Sequence, residues 1–250
     1  MVRTILFIYF SSFILHVHGQ VKIHAHNDYE KAIPLYAALE ARAFTIEADV
    51  YLVKGTIYVA HDFEKIDLQK TLSSMYLYPI EALFKSNNGN IASDTSYRIV
   101  LMIDIKKDGP DVLKKLIKLT KHKRKYYDRT RNAHAAQIVI SGDRGPISAW
   151  NTYPDYIQFD GRPTESYDQK TLNKINLISD SYANYLMGND KKLNVDKLQN
   201  MIEKAHGMNL PVRLWGTPDN EDGWMLMNKL GVDIINTDKV MTCREYFRKR

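Results

Sequence analysis

The stretch RIVLMIDIKKDGPDVLKKLIKLTKHKR, residues 98–124, gives the clearest indication of the fold class. Its first eight residues, 98–105, form a short apolar run of the length and composition of a buried strand. Pro110 stands where a helix would begin, and apolar residues such as Val112 and Leu116 then recur at helical spacing. The stretch therefore predicts a strand followed by an amphipathic helix, which is the repeating unit of parallel α/β folds.

The same alternation extends in both directions along the chain. Apolar runs that suit short strands lie at 21–26, 44–50, 98–105, 136–141, 155–160, 175–180, 210–215 and 231–237. Helix-like patterns separate most of these runs. Eight alternating units predict a (β/α)8 TIM barrel as a single domain over residues 20–250, with a doubly wound sheet as the alternative.

The alternation is interrupted after the second strand. In VYLVKGTIYVAHD, residues 50–62, Lys54 and Gly55 lie between two β-rich runs and predict a hairpin that returns at His61. The segment from Phe63 to Tyr97 is long and polar in part, so we expect a lid or surface insertion there.

The N-terminus has the pattern of an export signal. Arg3 precedes an apolar run over residues 5–17, and Gly19 suits signal-peptidase recognition. The run is shorter than the roughly 20 residues that span a bilayer, although a membrane anchor is the alternative. We predict a signal peptide over residues 1–19 and an exported protein, either periplasmic or secreted.

Composition narrows the function classes. The lone cysteine, Cys243, rules out an intramolecular disulfide and a cysteine-rich metal cluster. Much of the formal net charge of +6 lies in KHKRKYYDRTR, residues 121–131. That run suits a solvated helix end, or else peripheral contact with an anionic membrane surface. No nucleic-acid motif accompanies it, so we expect no nucleic acid partner, and we expect a monomer.

Three candidate strands end in two polar residues spaced two apart. The pairs are His24 and His26, Glu47 and Asp49, and Asp104 and Lys106. Residues at positions i and i+2 share one face of a strand, and the carboxyl ends of parallel barrel strands open on one face. We therefore expect these side chains to converge, with His61 completing the cluster from the hairpin.

Three carboxylates in a poorly hydrated barrel mouth would repel one another. A divalent cation would hold them ionised, and oxygen ligands favour Ca²⁺ or Mg²⁺. The alternative is that each carboxylate separately caps a helix or pairs with a basic residue.

The order of these motifs carries a resemblance to a known family. The motifs are AHND (25–28), IEADV (46–50), VAHD (59–62), LMIDIKKDG (101–109), VRLWG (212–216) and GVDIINTD (231–238). Together they resemble the glycerophosphodiester phosphodiesterase family and, more broadly, the phosphatidylinositol-phospholipase-C-like phosphodiesterases, which are (β/α)8 barrels. The HAHNDY form is similar to a secreted bacterial branch of that superfamily.

The resemblance implies a metal-dependent phosphodiester hydrolase that acts on glycerophosphodiesters or related phospholipid head-group phosphodiesters. It implies His26 and His61 as acid/base groups, Glu47, Asp49 and Asp104 as ligands of a divalent cation, and Lys106 as a phosphate contact. The substrate would be a small-molecule or lipid-derived phosphodiester, attacked either by water or by a neighbouring substrate hydroxyl.

The sequence departs from the family at two positions. Asn27 stands where the family usually has an arginine that meets phosphate. Asp104 stands where glycerophosphodiesterases usually have glutamate, and is more similar to the aspartate of sphingomyelinase D enzymes.

Four further residues are candidates for supporting or substrate contacts: His24, Asn27, Arg213 and Trp215. His24 could orient His26, ligate the metal, or sit deeper in the barrel. Arg213 and Trp215 share a strand face and could line the substrate pocket.

Two other functions fit parts of the pattern. A His-x-His motif on the first strand also marks metal-dependent amidohydrolases and phosphatases, but the later histidines, His122, His134 and His206, lie away from strand ends. A secreted barrel could also keep a metal site for binding alone, although binding requires no paired histidines.

Overall fold

A computed structural model describes residues 21–249, so the predicted signal peptide lies outside the described residues. The strands, in chain order, are β1 (Lys22–Ala25), β2 (Thr45–Val53), β3 (Thr56–Val59), β4 (Val100–Ile105), β5 (Gln137–Gly142), β6 (Ile157–Gly161), β7 (Ile175–Ser181), β8 (Leu186–Met187), β9 (Lys192–Leu193), β10 (Val212–Trp215) and β11 (Ile234–Thr237).

Eight of these strands close into a parallel barrel. Strands β1, β2, β4, β5, β6, β7, β10 and β11 each pair in parallel with the next, and β11 pairs with β1. Because the first and last strands meet, the fold is the predicted (β/α)8 barrel and not a doubly wound sheet.

Helices cover the outside of the barrel. They are α1 (Tyr36–Glu40), α2 (Tyr78–Ser86), α3 (Gly109–Thr120), α4 (Arg124–Tyr127), α5 (Gln169–Leu172), α6 (Val195–Gly207), α7 (Glu221–Lys229) and α8 (Val240–Arg248). No described helix is both long and apolar enough to cross a membrane.

The predicted hairpin is present. Strand β3 runs antiparallel to β2, and the turn residues Lys54 and Gly55 have φ angles of 47° and 77°. The segment that follows, 63–97, is more buried than a lid would be. It carries α2, whose Ile80 and Phe84 are buried in the core.

The basic run 121–131 is held partly by the protein itself. Lys123 pairs with Glu81 at 2.7 Å, and Arg124 pairs with Asp128 at 2.5 Å. These contacts account for two of its cations as structural groups.

The barrel interior is layered. The part nearer the amino ends of the strands, here called the lower layer, holds a separate apolar cluster composed of Val100, Met102, Val139, Leu177 and Ile234. Two residues further along the same strands, the inward positions become polar. The apolar layer closes one end of the barrel, and the polar layer faces the carboxyl ends of the strands.

Candidate active site

Polar side chains from seven barrel strands converge at the carboxyl end of the barrel. They are buried or half-buried, and comprise Glu47 and Asp49 on β2, Asp104 on β4, Ser141 on β5, Asp160 on β6, Ser179 on β7, Arg213 on β10 and Asn236 on β11. Four of them, Asp104, Ser141, Ser179 and Asn236, stand two residues beyond an apolar member of the lower layer on the same strand.

The three predicted metal ligands lie together. One carboxylate oxygen from each of Glu47, Asp49 and Asp104 lies within 4.8 Å of the others. Asp49 Oδ1 is buried and has no hydrogen-bond partner among the described residues. Three carboxylates with a spare buried oxygen fit a hard divalent cation, because such ions bind several oxygen ligands.

Lys106 bridges two of these carboxylates. Its Nζ lies 2.7 Å from Asp49 Oδ2 and 2.6 Å from Asp104 Oδ2. Burial alone would lower the pKa of Lys106, but Asp104 and Asp49 raise it above its usual range, so the ammonium stays charged. Burial, followed by the charge of Glu47, raises the pKa of Asp49, while Lys106 opposes that rise.

His61 is oriented by Asp49. Its Nδ1 lies 3.0 Å from Asp49 Oδ2, and Tyr29 donates its hydroxyl proton to the same oxygen at 2.8 Å. Tyr29 lies in a single 3₁₀ turn entered through Asn27, whose φ is 47° and whose Oδ1 is 3.0 Å from the tyrosine hydroxyl. Because Asp49 holds Nδ1, the Nε2 side of the half-exposed His61 ring is free for a substrate.

His26 is held in the same manner by a different carboxylate. Its Nδ1 lies 2.9 Å from Asp238 Oδ1, just beyond the end of β11. Asp238 was not among the sequence candidates. Each of the two candidate acid/base histidines thus has a carboxylate at Nδ1, which fixes the orientation of the ring.

His24 lies deeper than His26 and is fully buried. Its Nε2 is 2.5 Å from Glu47 Oε2 and 2.8 Å from Arg213 Nη1. Burial, and then the positive charge of Arg213, lowers the pKa of His24 well below its usual value. His24 is therefore a neutral neighbour of a candidate metal ligand, which agrees with the supporting role considered for it.

A buried carboxylate, Asp160, organises the far side of the mouth. It accepts hydrogen bonds from Ser179 at 2.6 Å and Ser141 at 2.9 Å, and it pairs with Arg162 at 2.8 Å. Arg213 Nη2 lies 3.6 Å away. Burial alone would raise the pKa of Asp160, but Arg162, Arg213 and the Ser179 hydrogen bond lower it, so it remains ionised.

These groups enclose a pocket of about 300 Å³. Its lining includes His26, Lys106, Arg162 and Trp215. Gly142 permits the close packing of β4 and β5, since a Cβ there would lie 2.3 Å from the Ile105 carbonyl oxygen and 2.8 Å from Asp104 Oδ1. The cavity is thus lined by carboxylates, a lysine and one oriented histidine, His26, while His61 lies beside it on Asp49.

The structure brings most sequence candidates together and adds others. Arg213 and Trp215 both line the pocket, and Arg213 is 3% exposed and paired with its neighbours. Asp160 and Arg162 were missed, although they form the same i, i+2 polar pair at a strand end as the three pairs that were recognised. Tyr29 was missed because its role depends on the local turn.

Two family models match parts of the chain. The model of the AIM6-like phosphodiesterase domain matches residues 12–149, and that of the glycerophosphoryl diester phosphodiesterase family matches residues 211–241. A crystal structure of a glycerophosphodiester phosphodiesterase from Parabacteroides distasonis aligns with a TM-score of 0.60 and 14% identity, covering 92% of this chain and 98% of that one.

Two fungal relatives also match over most of the chain. The altered inheritance of mitochondria protein 6 homolog of Arthroderma benhamiae is 26% identical over 91% of this chain and 84% of its own length. Altered inheritance of mitochondria protein 6 of Eremothecium gossypii is 26% identical over 87% of this chain and 67% of its own length.

The family matches place this barrel among the phosphodiesterase domain families. Within that class, the chain belongs to the AIM6-like phosphodiesterase domain family, whose model covers more than half of it.

Proposed function

We propose that this chain is a metal-dependent phosphodiester hydrolase acting on glycerophosphodiesters or related phospholipid head-group phosphodiesters. One observation carries the proposal: three carboxylates lie within 4.8 Å of one another, next to two histidines whose Nδ1 atoms are both held by carboxylates. This arrangement provides separate places for metal, acid and base.

Glu47, Asp49 and Asp104 would hold Ca²⁺ or Mg²⁺, which supplies positive charge to the phosphoryl oxygens as negative charge develops on them. Lys106 adds a second positive charge at the same place. Its raised pKa keeps that charge over the whole physiological range.

Proton transfer falls to the two histidines. One imidazole accepts the proton of the attacking oxygen as the new P–O bond forms, and the other protonates the leaving alkoxide as the old P–O bond breaks. The attacking oxygen belongs to water or to a neighbouring substrate hydroxyl, and the second route first yields a cyclic phosphate. The held Nδ1 atoms leave Nε2 of His26 and His61 for these transfers.

The amidohydrolase-type alternative fits the site less well. Among the described residues, the group of potential metal ligands consists of carboxylates, whereas a His-x-His metal site needs further histidines near later strand ends. His206, for example, pairs with Asp233 at 2.8 Å, and it lies on α6 rather than at a strand end. A barrel used for binding alone remains the non-enzymatic alternative.

A substrate panel tests the proposal against both alternatives. Purified protein with Mg²⁺ or Ca²⁺ should hydrolyse bis-p-nitrophenyl phosphate and at least one glycerophosphodiester, and should leave p-nitrophenyl phosphate and amide substrates intact. Turnover of only the monoester or the amides would favour the amidohydrolase or phosphatase function, and no turnover of any substrate would favour binding alone.

We further propose that the protein is exported after removal of residues 1–19 and acts as a monomer on small-molecule or lipid-derived phosphodiesters, with no nucleic acid partner. Lys121, Lys125 and Arg131 are exposed and support peripheral contact with an anionic membrane surface.

A further inference from the structure

Arg162 stands at the end of β6, on the wall of the pocket that also contains His26 and Lys106. Its side chain is 19% exposed, and its partner Asp160 is fully buried. A charged group held at a pocket wall by a buried carboxylate has a fixed position, and fixed positions suit the binding of a reacting group.

The contacts of Arg162 are concentrated on one nitrogen. Nη1 lies 2.8 Å from Asp160 Oδ2, and it donates to Ser179 Oγ at 3.0 Å and to the Gly161 carbonyl oxygen at 3.1 Å. Nη2 has a single long contact, 3.4 Å to Ser141 Oγ. Nε has no hydrogen-bond partner within residues 21–249 and is not sealed from solvent.

The edge of the guanidinium formed by Nε and Nη2 therefore makes little contact with the protein. It carries two parallel N–H groups. An arginine uses this edge for bidentate bonds to the oxygens of a phosphate or carboxylate. The ring of Trp215 lies 5.0 Å from the guanidinium carbon and further restricts its plane.

The surrounding charges favour a phosphate over a carboxylate as the occupant. Lys106 lines the same pocket and brings a second positive charge to it. A tetrahedral group with several oxygens can meet Lys106 and Arg162 at once. In the loop after β1, Asn27 accepts a hydrogen bond from the Tyr29 hydroxyl at 3.0 Å.

From this geometry we infer that Arg162 binds the phosphoryl oxygens of the substrate through its Nε and Nη2 groups. The inference rests on the proposed function and adds a specific phosphate-binding residue to it. Asp160 and Ser179 are positioning residues in this arrangement, because they hold Nη1 and leave the other edge to the ligand.

The test compares Arg162→Lys and Arg162→Gln with Arg124→Lys. Arg124 is the matched control, since it pairs with Asp128 at 2.5 Å and lies over the ring of Tyr156, but does not line the pocket. Inorganic phosphate binding is measured by calorimetry with Mg²⁺ present, alongside kcat/KM for bis-p-nitrophenyl phosphate and the Tm of each variant.

We expect Arg162→Gln to lower kcat/KM by about 100-fold, the usual scale for losing one donor to a developing charge. Arg162→Lys keeps a positive charge next to Asp160 but lacks the two parallel N–H donors of the guanidinium. Phosphate affinity should therefore fall at least about tenfold even where Tm is retained. Arg124→Lys should keep wild-type phosphate affinity.

Wild-type phosphate affinity in a folded Arg162→Lys protein, or equal losses in Arg124→Lys, would overturn the inference. Loss of phosphate binding on changing Arg162, in a protein that hydrolyses no phosphodiester, would support it while removing the proposed function. If Arg162→Gln does not fold, the lysine variant decides.

Discussion

Among single residues, the two candidate acid/base histidines are oriented in the same way, each by a carboxylate. Asp49 holds Nδ1 of His61, and Asp238 holds Nδ1 of His26. We predict that His26→Ala and His61→Ala each lower kcat by about 100-fold or more, because each removes a positioned proton transfer. Steady-state kinetics on alkyl and aryl phosphodiesters measures the effect.

The choice of substrate separates the two roles. An aryl leaving group needs no protonation, so it should rescue the variant that lacks the general acid and not the one that lacks the base. His24→Ala should cost less, and extra metal should partly restore it, since His24 contacts Glu47 rather than the pocket. An inactive His24→Ala together with an active His26→Ala would show that these roles are reversed.

The sequence reveals these residues unevenly, for a physical reason. The i, i+2 rule depends only on strand geometry, so it places Glu47 and Asp49 on one inward face without any knowledge of the rest of the chain. Asp238 contacts His26 although the two residues are 212 positions apart in the sequence. No local pattern encodes such a contact, because barrel closure creates it.

At the scale of elements, Asp160 ties together the ends of neighbouring strands. Its carboxylate bonds Ser141 of β5 and Ser179 of β7, and it pairs with two arginines. We predict that Asp160→Asn lowers the free energy of unfolding by about 3 kcal/mol, because it leaves buried guanidinium groups without their counter-charge. Urea unfolding measures this change, with Asp190→Asn, in an exposed ion pair, as the control.

The effect of Asp160 should depend on pH. Its pKa is lowered in the folded state, so its stabilisation is complete above the unfolded-state value of about 3.9 and is lost as pH falls through the lower folded value. The stability gap between wild type and Asp160→Asn should thus shrink below about pH 4. A gap that widened on acidification would contradict this assignment.

The hairpin that carries His61 supplies another prediction. Lys54 and Gly55 both have positive φ, as in the tight turns that suit β-hairpins. An added Cβ at Gly55 meets no atom within 4 Å, so Gly55→Ala should lower the free energy of unfolding through backbone strain alone, by about 1 kcal/mol. Thermal unfolding tests this, and an unchanged kcat would show that the hairpin keeps its position.

The strands and the hairpin follow from apolar runs and turn residues, which are local signals. Helix α2 does not, since the polar stretch before β4 conceals a short amphipathic segment that becomes stable only against the barrel wall. The expectation of a lid or surface insertion over residues 63–97 did not include this packed helix for that reason.

At the scale of the whole molecule, export is a separate prediction. Removal of the apolar N-terminal run should leave a mature chain that begins at Gln20 or within a few residues of it. Mass spectrometry of the exported protein identifies the first residue. Recovery of an intact chain with Met1 in the membrane fraction would instead indicate an anchor.

The carboxylate cluster of the barrel mouth is proposed to support phosphodiester hydrolysis through a divalent cation. The most direct measurement is the rate of bis-p-nitrophenyl phosphate hydrolysis before chelation, after EDTA, and after return of Ca²⁺ or Mg²⁺. We predict loss on chelation, recovery with one of these ions, and no recovery in a folded Glu47→Gln or Asp49→Asn protein. Full activity in a demonstrably metal-free sample would contradict the account.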